Sequence, residues 1–216
     1  MNGCRLAAGF ASRAEIARLH GWIAPHLHRF REAVGYATFG PRCLQLGGVQ
    51  IAQWLPEIMA YGEERVRPAV EAFAGGPLVA QSDPGRARRI QIFAHPRHSF
   101  RWHYDISEYA ALLTLQNDCA AETQVVSGRL SRWVRPAYYP LAWAPGLFSI
   151  LPHERYALAA GDLLIMRGCE LLHRGVALAA GERVLVVYAF DRPGRRPGRL
   201  RARMAKYINT RHVSVR

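Results

Sequence analysis

Apolar residues recur at helical spacing near the start of the chain. Four of them lie three or four residues apart: Ile16, Leu19, Ile23 and Leu27. This spacing predicts a helix with one apolar face, and Ser12 and Glu15 have the S-x-x-E spacing of a capping box at its start. A second helical stretch is predicted from about residue 50 to residue 73, with Pro56 and Pro68 starting or kinking turns within it.

From about Arg89 the pattern changes to short β-prone segments separated by turn signals. These segments are 90–93, 99–105, 110–115, 123–126, 162–166 and 184–190. Many short strands, without regular alternation of strands and helices, favour a sandwich or barrel over a doubly wound sheet. Residues 127–156 are rich in Trp, Tyr and Pro. We expect them to form either a lid or binding loop, or a packed cover over the sheet.

Length and composition fit one globular domain with a mainly β core, in the α+β class. The chain has 216 residues, and half of them are hydrophobic, which argues against disorder. No apolar run approaches the roughly 20 residues that cross a bilayer, and the scattered cysteines predict reduced thiols in a cytoplasmic protein. We expect a single domain over 1–216, with a helical segment 1–85, a β core 86–191 and a basic tail 192–216.

The positive charge is concentrated in this tail. The net charge is +13, and residues 192–216 contain nine Lys or Arg and no Asp or Glu. The tail could bind an anionic partner, including nucleic acid, through phosphate contacts. A solvated terminus of an Arg-rich chain is the favoured alternative, because the tail has no pattern of interleaved aromatics and matches no nucleic-acid module.

His103 and Asp105 form an H-x-D pair within the β-prone segment 99–105. Residues i and i+2 of a strand project from the same face, so both side chains can reach one ion. An imidazole and a carboxylate suit a divalent transition metal, and a second histidine completes the ligand set of non-haem Fe(II) oxygenases. H-x-D alone arises by chance, so the prediction depends on residues further along the chain.

A second histidine and an arginine stand at informative positions beyond this pair. His173 lies shortly after the predicted strand 162–166 and its turn at Gly168, and Arg183 lies ten residues further on. The stretches AAGDLLIM (159–166), LHRGV (172–176) and GERVL (181–185), together with the H-x-D pair, resemble the core of 2-oxoglutarate- and Fe(II)-dependent dioxygenases of the prolyl-hydroxylase-like kind. The resemblance covers residues 90–191, about half of the chain.

The resemblance implies a double-stranded β-helix, or jelly-roll, with the N-terminal helices packed on it. It implies that His103, Asp105 and His173 are the catalytic Fe(II) ligands, and that Arg183 anchors the distal carboxylate of the cosubstrate 2-oxoglutarate, for which a guanidinium is well suited. The implied reaction uses O₂ to oxidise, and most simply to hydroxylate, an unactivated C–H bond of a small molecule such as an amino acid or natural-product intermediate, releasing succinate and CO₂. Halogenases of this family lack the carboxylate ligand, so Asp105 argues against halogenation.

Other histidines compete for the third ligand position. His153 precedes a Gly-Asp turn, but no arginine stands at the right distance beyond it, so His173 is favoured. His95 and His98 are expected to be loop residues, because their offsets from His103 place the three on no common strand face. The alternative interpretation of His173 is a buried core histidine.

The sequence departs from the family pattern at the cosubstrate site. Many relatives have a tyrosine about nine residues before the first ligand, where this chain has Ala94; Gln91 or Thr114 could replace its contact. The candidate substrate contacts are Trp102, Glu122 and Trp133. Buried sheet aromatics and a surface carboxylate are the ordinary alternatives for these residues.

Two other functions agree with the same pattern. A nucleic-acid or protein demethylase or hydroxylase of this superfamily would explain the basic tail, although repair enzymes carry their paired arginines farther beyond the distal histidine than Arg183 and Arg192. A non-catalytic, basic jelly-roll binding protein is the third interpretation.

Overall fold

Antiparallel strands dominate the computed structural model, which describes residues 3–34, 41–95, 98–141, 145–176, 180–195 and 211–213. Its strands are β1 (Cys4–Ala7), β2 (Arg31–Val34), β3 (Pro41–Gly47), β4 (Val79–Ala80), β5 (Arg88–Phe93), β6 (Ser99–His103), β7 (Tyr109–Asn117), β8 (Glu122–Val126), β9 (His153–Ala157), β10 (Leu163–Met166), β11 (His173–Val176), β12 (Arg183–Asp191) and β13 (Arg211–Val213). Its α-helices are α1 (Arg13–Ile23), α2 (Gly48–Trp54), α3 (Pro56–Tyr61), α4 (Arg67–Ala74), α5 (Pro84–Ala87) and α6 (Gly128–Leu141). Short 3₁₀ helices span Ala24–Arg29 and Pro145–Ile150, and a π-helical turn spans Gly62–Val66.

Strands β5 to β12 divide into two groups of four antiparallel strands. One group has the order β10-β7-β12-β5 and the other has the order β6-β11-β8-β9. Strand β3 pairs with both β5 and β6 and so joins the two groups. Successive strands pass between the groups along most of the chain, which is the connectivity of a jelly-roll. The predicted fold is therefore confirmed.

The first strand group separates two regions of the interior. On β12, Val184, Val186 and Tyr188 pack with the N-terminal helices in one hydrophobic core, while Leu185 and Val187 belong to a second cluster on the opposite face. Both faces of the strand are covered, and all of its residues are buried. This explains why its sequence is a nearly continuous apolar run instead of an alternating one.

The N-terminal helices cover this sheet as predicted. The capping box of α1 is present: Glu15 N–H donates to Ser12 Oγ, and Ser12 N–H donates to Glu15 Oε2. Pro56 and Pro68 stand in the first turns of α3 and α4, where a missing N–H costs nothing. Among the described helices, none is long and apolar enough to span a membrane.

The six predicted strands are all present, with ends shifted by at most two residues. Strands β1, β2, β3, β4, β9, β11 and β13 were not predicted, because their sequences are short or polar and their conformation depends on pairing with other strands. Strand β1, for example, pairs residue by residue with β10. The chain between residues 1 and 85 therefore contributes strands as well as the predicted helices.

The aromatic interval 127–156 contains helix α6, which the sequence pattern did not predict. Pro136 lies inside α6, although proline normally ends a helix. Val134 and Tyr138 of α6 pack against Trp102 and Val126 of the second strand group and against Phe148 of the 3₁₀ helix. In the described part of this interval, α6 and the 3₁₀ helix after it are thus a packed cover on that group.

Candidate metal centre

Two paired strands place His103 and His173 side by side. His103 is the last residue of β6, His173 is the first residue of β11, and the two are direct partners in the antiparallel pairing. Directly opposed residues project from the same face of a sheet. Their ring centroids accordingly lie 4.1 Å apart.

Asp105 reaches the two imidazoles from a position just beyond the end of β6. The strand ends at His103, two residues earlier than predicted, and Asp105 N–H donates to the carbonyl of Gly168 at 2.9 Å. One carboxylate oxygen lies 3.5 Å from His103 Nε2, and the other lies 3.5 Å from His173 Nε2. One possible ligand atom from each of the three residues thus lies within 4.8 Å of the others.

Gly168 makes room for this carboxylate. A Cβ atom built at Gly168 would lie 2.8 Å from Asp105 Cβ and 3.0 Å from Asp105 Cγ, and it would come still closer to Oδ2. Real Cβ atoms almost never approach other atoms so closely. The turn after β10 therefore requires glycine because of the aspartate, and not because of its own backbone conformation.

The hydrogen bonds of both histidines leave the same ring nitrogen available. His103 Nδ1 lies 2.7 Å from the carbonyl of Arg101, and His173 Nδ1 lies 3.0 Å from the carbonyl of Leu171. A carbonyl only accepts hydrogen bonds, so each Nδ1 carries the proton. In the neutral ring Nε2 then presents a lone pair to the shared space, as metal-ligating histidines do.

The local electrostatics favour a charged carboxylate and a neutral imidazole. Burial alone would raise the pKa of Asp105, but the nearby His173, His103 and Arg89 more than offset it, and the pKa lies well below its usual value. Burial, helped by His103 and opposed by Asp105, lowers the pKa of His173 to about 4. At neutral pH both groups are in the protonation state that a metal ligand needs.

A pocket of about 430 Å³, including its open mouth, begins at the triad. Its apolar lining consists of Phe93, Phe100, Leu112, Leu185 and Val187, and its charged lining consists of Asp105 and the three arginines Arg89, Arg174 and Arg183. Gln91, Thr123 and Gly175 complete it with the two histidines. The pocket lies between the inner faces of the two strand groups.

Arg183 is a buried cation in this pocket. It is 1% exposed, Nη2 donates to Thr123 Oγ1 at 3.0 Å, and buried Nε has no hydrogen-bond partner. Burial lowers the pKa of its guanidinium to about 10, so it stays charged at neutral pH. No carboxylate of the described residues forms an ion pair with it. An uncompensated buried charge is costly, and a bound anion would compensate it.

The residues proposed to replace the missing tyrosine have different positions. Gln91 lines the pocket and donates to Gln45 Oε1 at 3.2 Å, whereas Thr114 is buried outside it. Ala94 also lies outside the lining, and its N–H donates to His98 Nδ1. Thr123, which contacts Arg183, was missed, because only its inward position in a predicted strand pointed to it.

The three candidate substrate contacts are not brought together with the triad. Trp102 alternates with His103 along β6, so its ring packs with residues of α6, and Nε1 donates to Ser149 Oγ of the 3₁₀ helix. Glu122 alternates with Thr123 along β8 and accepts from Gln124, and Trp133 is 76% exposed on α6. None of the three lines the pocket, so their contact with substrate stays a prediction.

The competing histidine is also separate from the triad. His153 Nδ1 bonds to the carbonyl of Leu151, and its ring packs edge-on against Trp102. Among the described residues, the group of side chains close enough to hold one metal ion is His103, Asp105 and His173. The architecture is thus that of a jelly-roll protein with two histidines and one carboxylate converging in its central pocket.

Solved structures share this fold over nearly the whole chain. The non-haem α-ketoglutarate-dependent carbocyclase SnoK from nogalamycin biosynthesis has 16% identity and a TM-score of 0.68, with 100% of this chain and 90% of SnoK covered. HygX from Streptomyces hygroscopicus, solved with nickel and 2-oxoglutarate, has 15% identity and a TM-score of 0.66 over 98% of this chain and 92% of HygX. A Pseudomonas putida prolyl-4-hydroxylase has 14% identity and a TM-score of 0.55, covering 90% and 95%.

No protein-family model matches the sequence, and no curated protein matches it significantly. At these identities the structural likeness establishes the fold alone. The chain therefore has the jelly-roll fold of non-haem, 2-oxoglutarate-dependent enzymes, and the fold implied by the resemblance of its sequence motifs is confirmed.

Proposed function

We propose that the protein is an Fe(II)- and 2-oxoglutarate-dependent oxygenase that oxidises a small molecule. The observation that carries the proposal is the convergence of His103, Asp105 and His173 in a pocket that also holds the buried, uncompensated Arg183. Two imidazole nitrogens and one carboxylate oxygen are the ligand set of this enzyme class, and they leave other coordination positions open. Bound Fe(II) and 2-oxoglutarate supply the activation of O₂ for C–H oxidation, with release of succinate and CO₂.

The three ligands have distinct tasks in this proposal. Asp105 supplies the negative charge, and its lowered pKa keeps it ionised. The carbonyls of Arg101 and Leu171 fix the ring orientation of the two histidines through Nδ1. Because Asp105 fills the carboxylate position, hydroxylation or a related oxidation is favoured over halogenation.

Arg183 anchors the distal carboxylate of 2-oxoglutarate in this proposal. Its guanidinium lies in the same pocket as the triad, and Thr123 Oγ1 accepts a hydrogen bond from Nη2 and so helps to orient it. A planar guanidinium pairs with a carboxylate through two parallel hydrogen bonds. The surrounding apolar side chains exclude water, which strengthens this pairing and protects the reacting centre.

The lining of the pocket and the neighbours in fold support a small-molecule substrate. Apolar side chains line the pocket together with a few converging charged groups, as they do in small-molecule sites. SnoK is from nogalamycin biosynthesis, and HygX has been solved with hygromycin B bound. A natural-product intermediate is accordingly the substrate class we favour.

Anaerobic titration with Fe(II) and then 2-oxoglutarate tests the proposal. We expect a weak visible charge-transfer band that requires both additions and is lost in Asp105→Ala. A protein that binds Fe(II) but gives no band, and consumes no 2-oxoglutarate in air, would instead favour a non-catalytic jelly-roll. If the band appears, succinate release in the presence of candidate metabolites identifies the substrate.

A further inference from the structure

Arg89 is a second pocket cation without a partner. Residues 89, 91 and 93 of β5 alternate onto the inner face, and all three line the pocket. Buried Nε of Arg89 has no hydrogen-bond partner, and none of the ion pairs among the described residues includes this arginine. The preceding Arg88, on the opposite face, pairs with Glu63. Arg89 is thus distinguished from its neighbour by facing the pocket without an ion pair among the described residues.

Arg89 and Arg183 lie at opposite ends of the pocket face formed by β5 and β12. In the pairing of β5 with β12, Arg183 is opposite Phe93 and Arg89 is opposite Val187. This four-residue offset corresponds to about 13 Å along the strands. The triad lies on the Arg89 side of Arg183, because Gly175 of β11 is opposite Thr123, the hydrogen-bond partner of Arg183, and His173 begins β11 two residues earlier, at the end away from the connection to β12. A cosubstrate bound at Arg183 would therefore reach the metal ligands without pairing with Arg89.

The net positive charge of the pocket also favours binding of a second anion. Its lining includes three guanidinium groups and one carboxylate. A divalent metal ion and a 2-oxoglutarate dianion cancel each other, so the loaded pocket keeps its positive excess. Arg174 already donates to Gln124 and Ser149 and stacks over Trp102. If Arg183 binds the cosubstrate, Arg89 is the pocket arginine whose N–H donors have no assigned acceptor.

We propose that Arg89 binds a carboxylate, or a comparable oxyanion, of the substrate and so orients it at the metal centre. This inference rests on the proposed function. Leu112 and Val187 are paired neighbours that line the pocket beside Arg89. The substrate class that fits is an organic acid whose apolar body contacts these side chains while its anionic group pairs with the guanidinium.

The test uses two probes that differ in charge but hardly in shape, namely benzoate and benzamide. Each is titrated calorimetrically into protein loaded with Ni(II) and saturating 2-oxoglutarate, so that Arg183 is occupied and no turnover occurs. We expect benzoate to bind about tenfold or more tightly than benzamide, which is the effect of one charge-assisted hydrogen-bonded pair. Arg89→Gln should abolish this preference, and Arg89→Lys should keep part of it.

Controls separate Arg89 from general charge effects and from the cosubstrate. Arg132→Gln removes an exposed arginine of α6 that does not line the pocket, and it should keep the benzoate preference. Arg89→Gln should keep wild-type affinities for Ni(II) and 2-oxoglutarate, and circular dichroism should show that it is folded.

Four outcomes would overturn the inference. The first is equal binding of benzoate and benzamide to the wild type, and the second is an unchanged benzoate preference in Arg89→Gln. The third is competition of benzoate with 2-oxoglutarate, which would place the anion at Arg183. The fourth is loss of 2-oxoglutarate affinity in Arg89→Gln, which would assign Arg89 to the cosubstrate. Failure of the wild type to bind Ni(II) and 2-oxoglutarate would instead refute the proposed function on which the inference rests.

Discussion

Replacing Gly168 by alanine should disable the metal centre without touching a ligand. The added Cβ would lie 2.8 Å from Asp105 Cβ and 3.0 Å from Asp105 Cγ. Relief of these contacts requires Asp105 to move by roughly 1 Å, because ordinary carbon–carbon contacts begin at about 3.5 Å. The backbone at Gly168 does not have a positive φ, and the three atoms nearest to the added Cβ all belong to Asp105, so the perturbation acts first on this carboxylate.

A displacement of this size matters because both carboxylate oxygens face the imidazoles at 3.5 Å. Loss of a supporting contact around a metal ligand typically costs about 10–100-fold in metal affinity. We expect Gly168→Ala to weaken Fe(II) or Ni(II) binding within that range, measured by calorimetric titration under anaerobic conditions. Gly175→Ala is the matched control, because its added Cβ would lie 3.6 Å from Phe100 Cβ and 3.8 Å from Arg183 Nη1, which are ordinary contacts.

A double-mutant cycle refines this test. If Gly168→Ala acts through the carboxylate, it should have no further effect on metal affinity in an Asp105→Ala background. Wild-type affinity in Gly168→Ala would refute the reasoning, since it would mean either that the turn moves aside or that Asp105 is not a ligand. Additive losses in the double variant would show that Gly168 acts by another route.

Three further predictions concern the cosubstrate anchor and the N-terminal helix. Arg183→Gln should lower 2-oxoglutarate affinity by roughly 10–150-fold, because a charged hydrogen-bonded pair contributes about 1.5–3 kcal/mol. Metal affinity, titrated without 2-oxoglutarate, should stay at the wild-type value. Thr123→Val should cost about fivefold in 2-oxoglutarate affinity through the lost bond to Arg183. Thr123→Ser keeps the hydroxyl and should retain the wild-type affinity; equal effects of the two substitutions would contradict the assignment. Ser12→Ala removes the helix cap and should lower the free energy of unfolding in urea by about 0.5–2 kcal/mol without changing metal affinity.

The parts of the fold that could be predicted are those with local signals. The capping box of α1 and the apolar runs of β7 and β12 have enough periodicity or length to indicate their structure without knowledge of neighbours. Strand β11 has the sequence HRGV and no such signal, because its conformation is imposed by pairing with β6 and β8. The helix α6 was missed for the opposite reason, since proline is a strong local signal that tertiary packing overrides.

The same distinction applies to the site. His103, Asp105, His173 and Arg183 were predicted because their residue types and spacing form a motif. Other contributors have no motif: Thr123 and Gly168 act through contacts with residues far away in the chain, and only the inward position of Arg89 on β5 places it in the pocket. Glycine and threonine at such positions are common for many reasons, so only the pairing of the strands shows what these residues contact.

The alternation of β12 and β5 links stability to function. On each strand one set of side chains, including Ile90 and Val186, packs under the helices, and the other set, including Arg89 and Arg183, faces the pocket. A strand whose two faces are both buried normally carries apolar residues on both. The two guanidinium groups break that rule: Arg183 is buried and Arg89 is partly buried. A buried cation without a counter-charge destabilises a fold. A bound anion offsets that cost, so the polar residues on the pocket face of these strands are the ones we assign to cosubstrate and substrate binding.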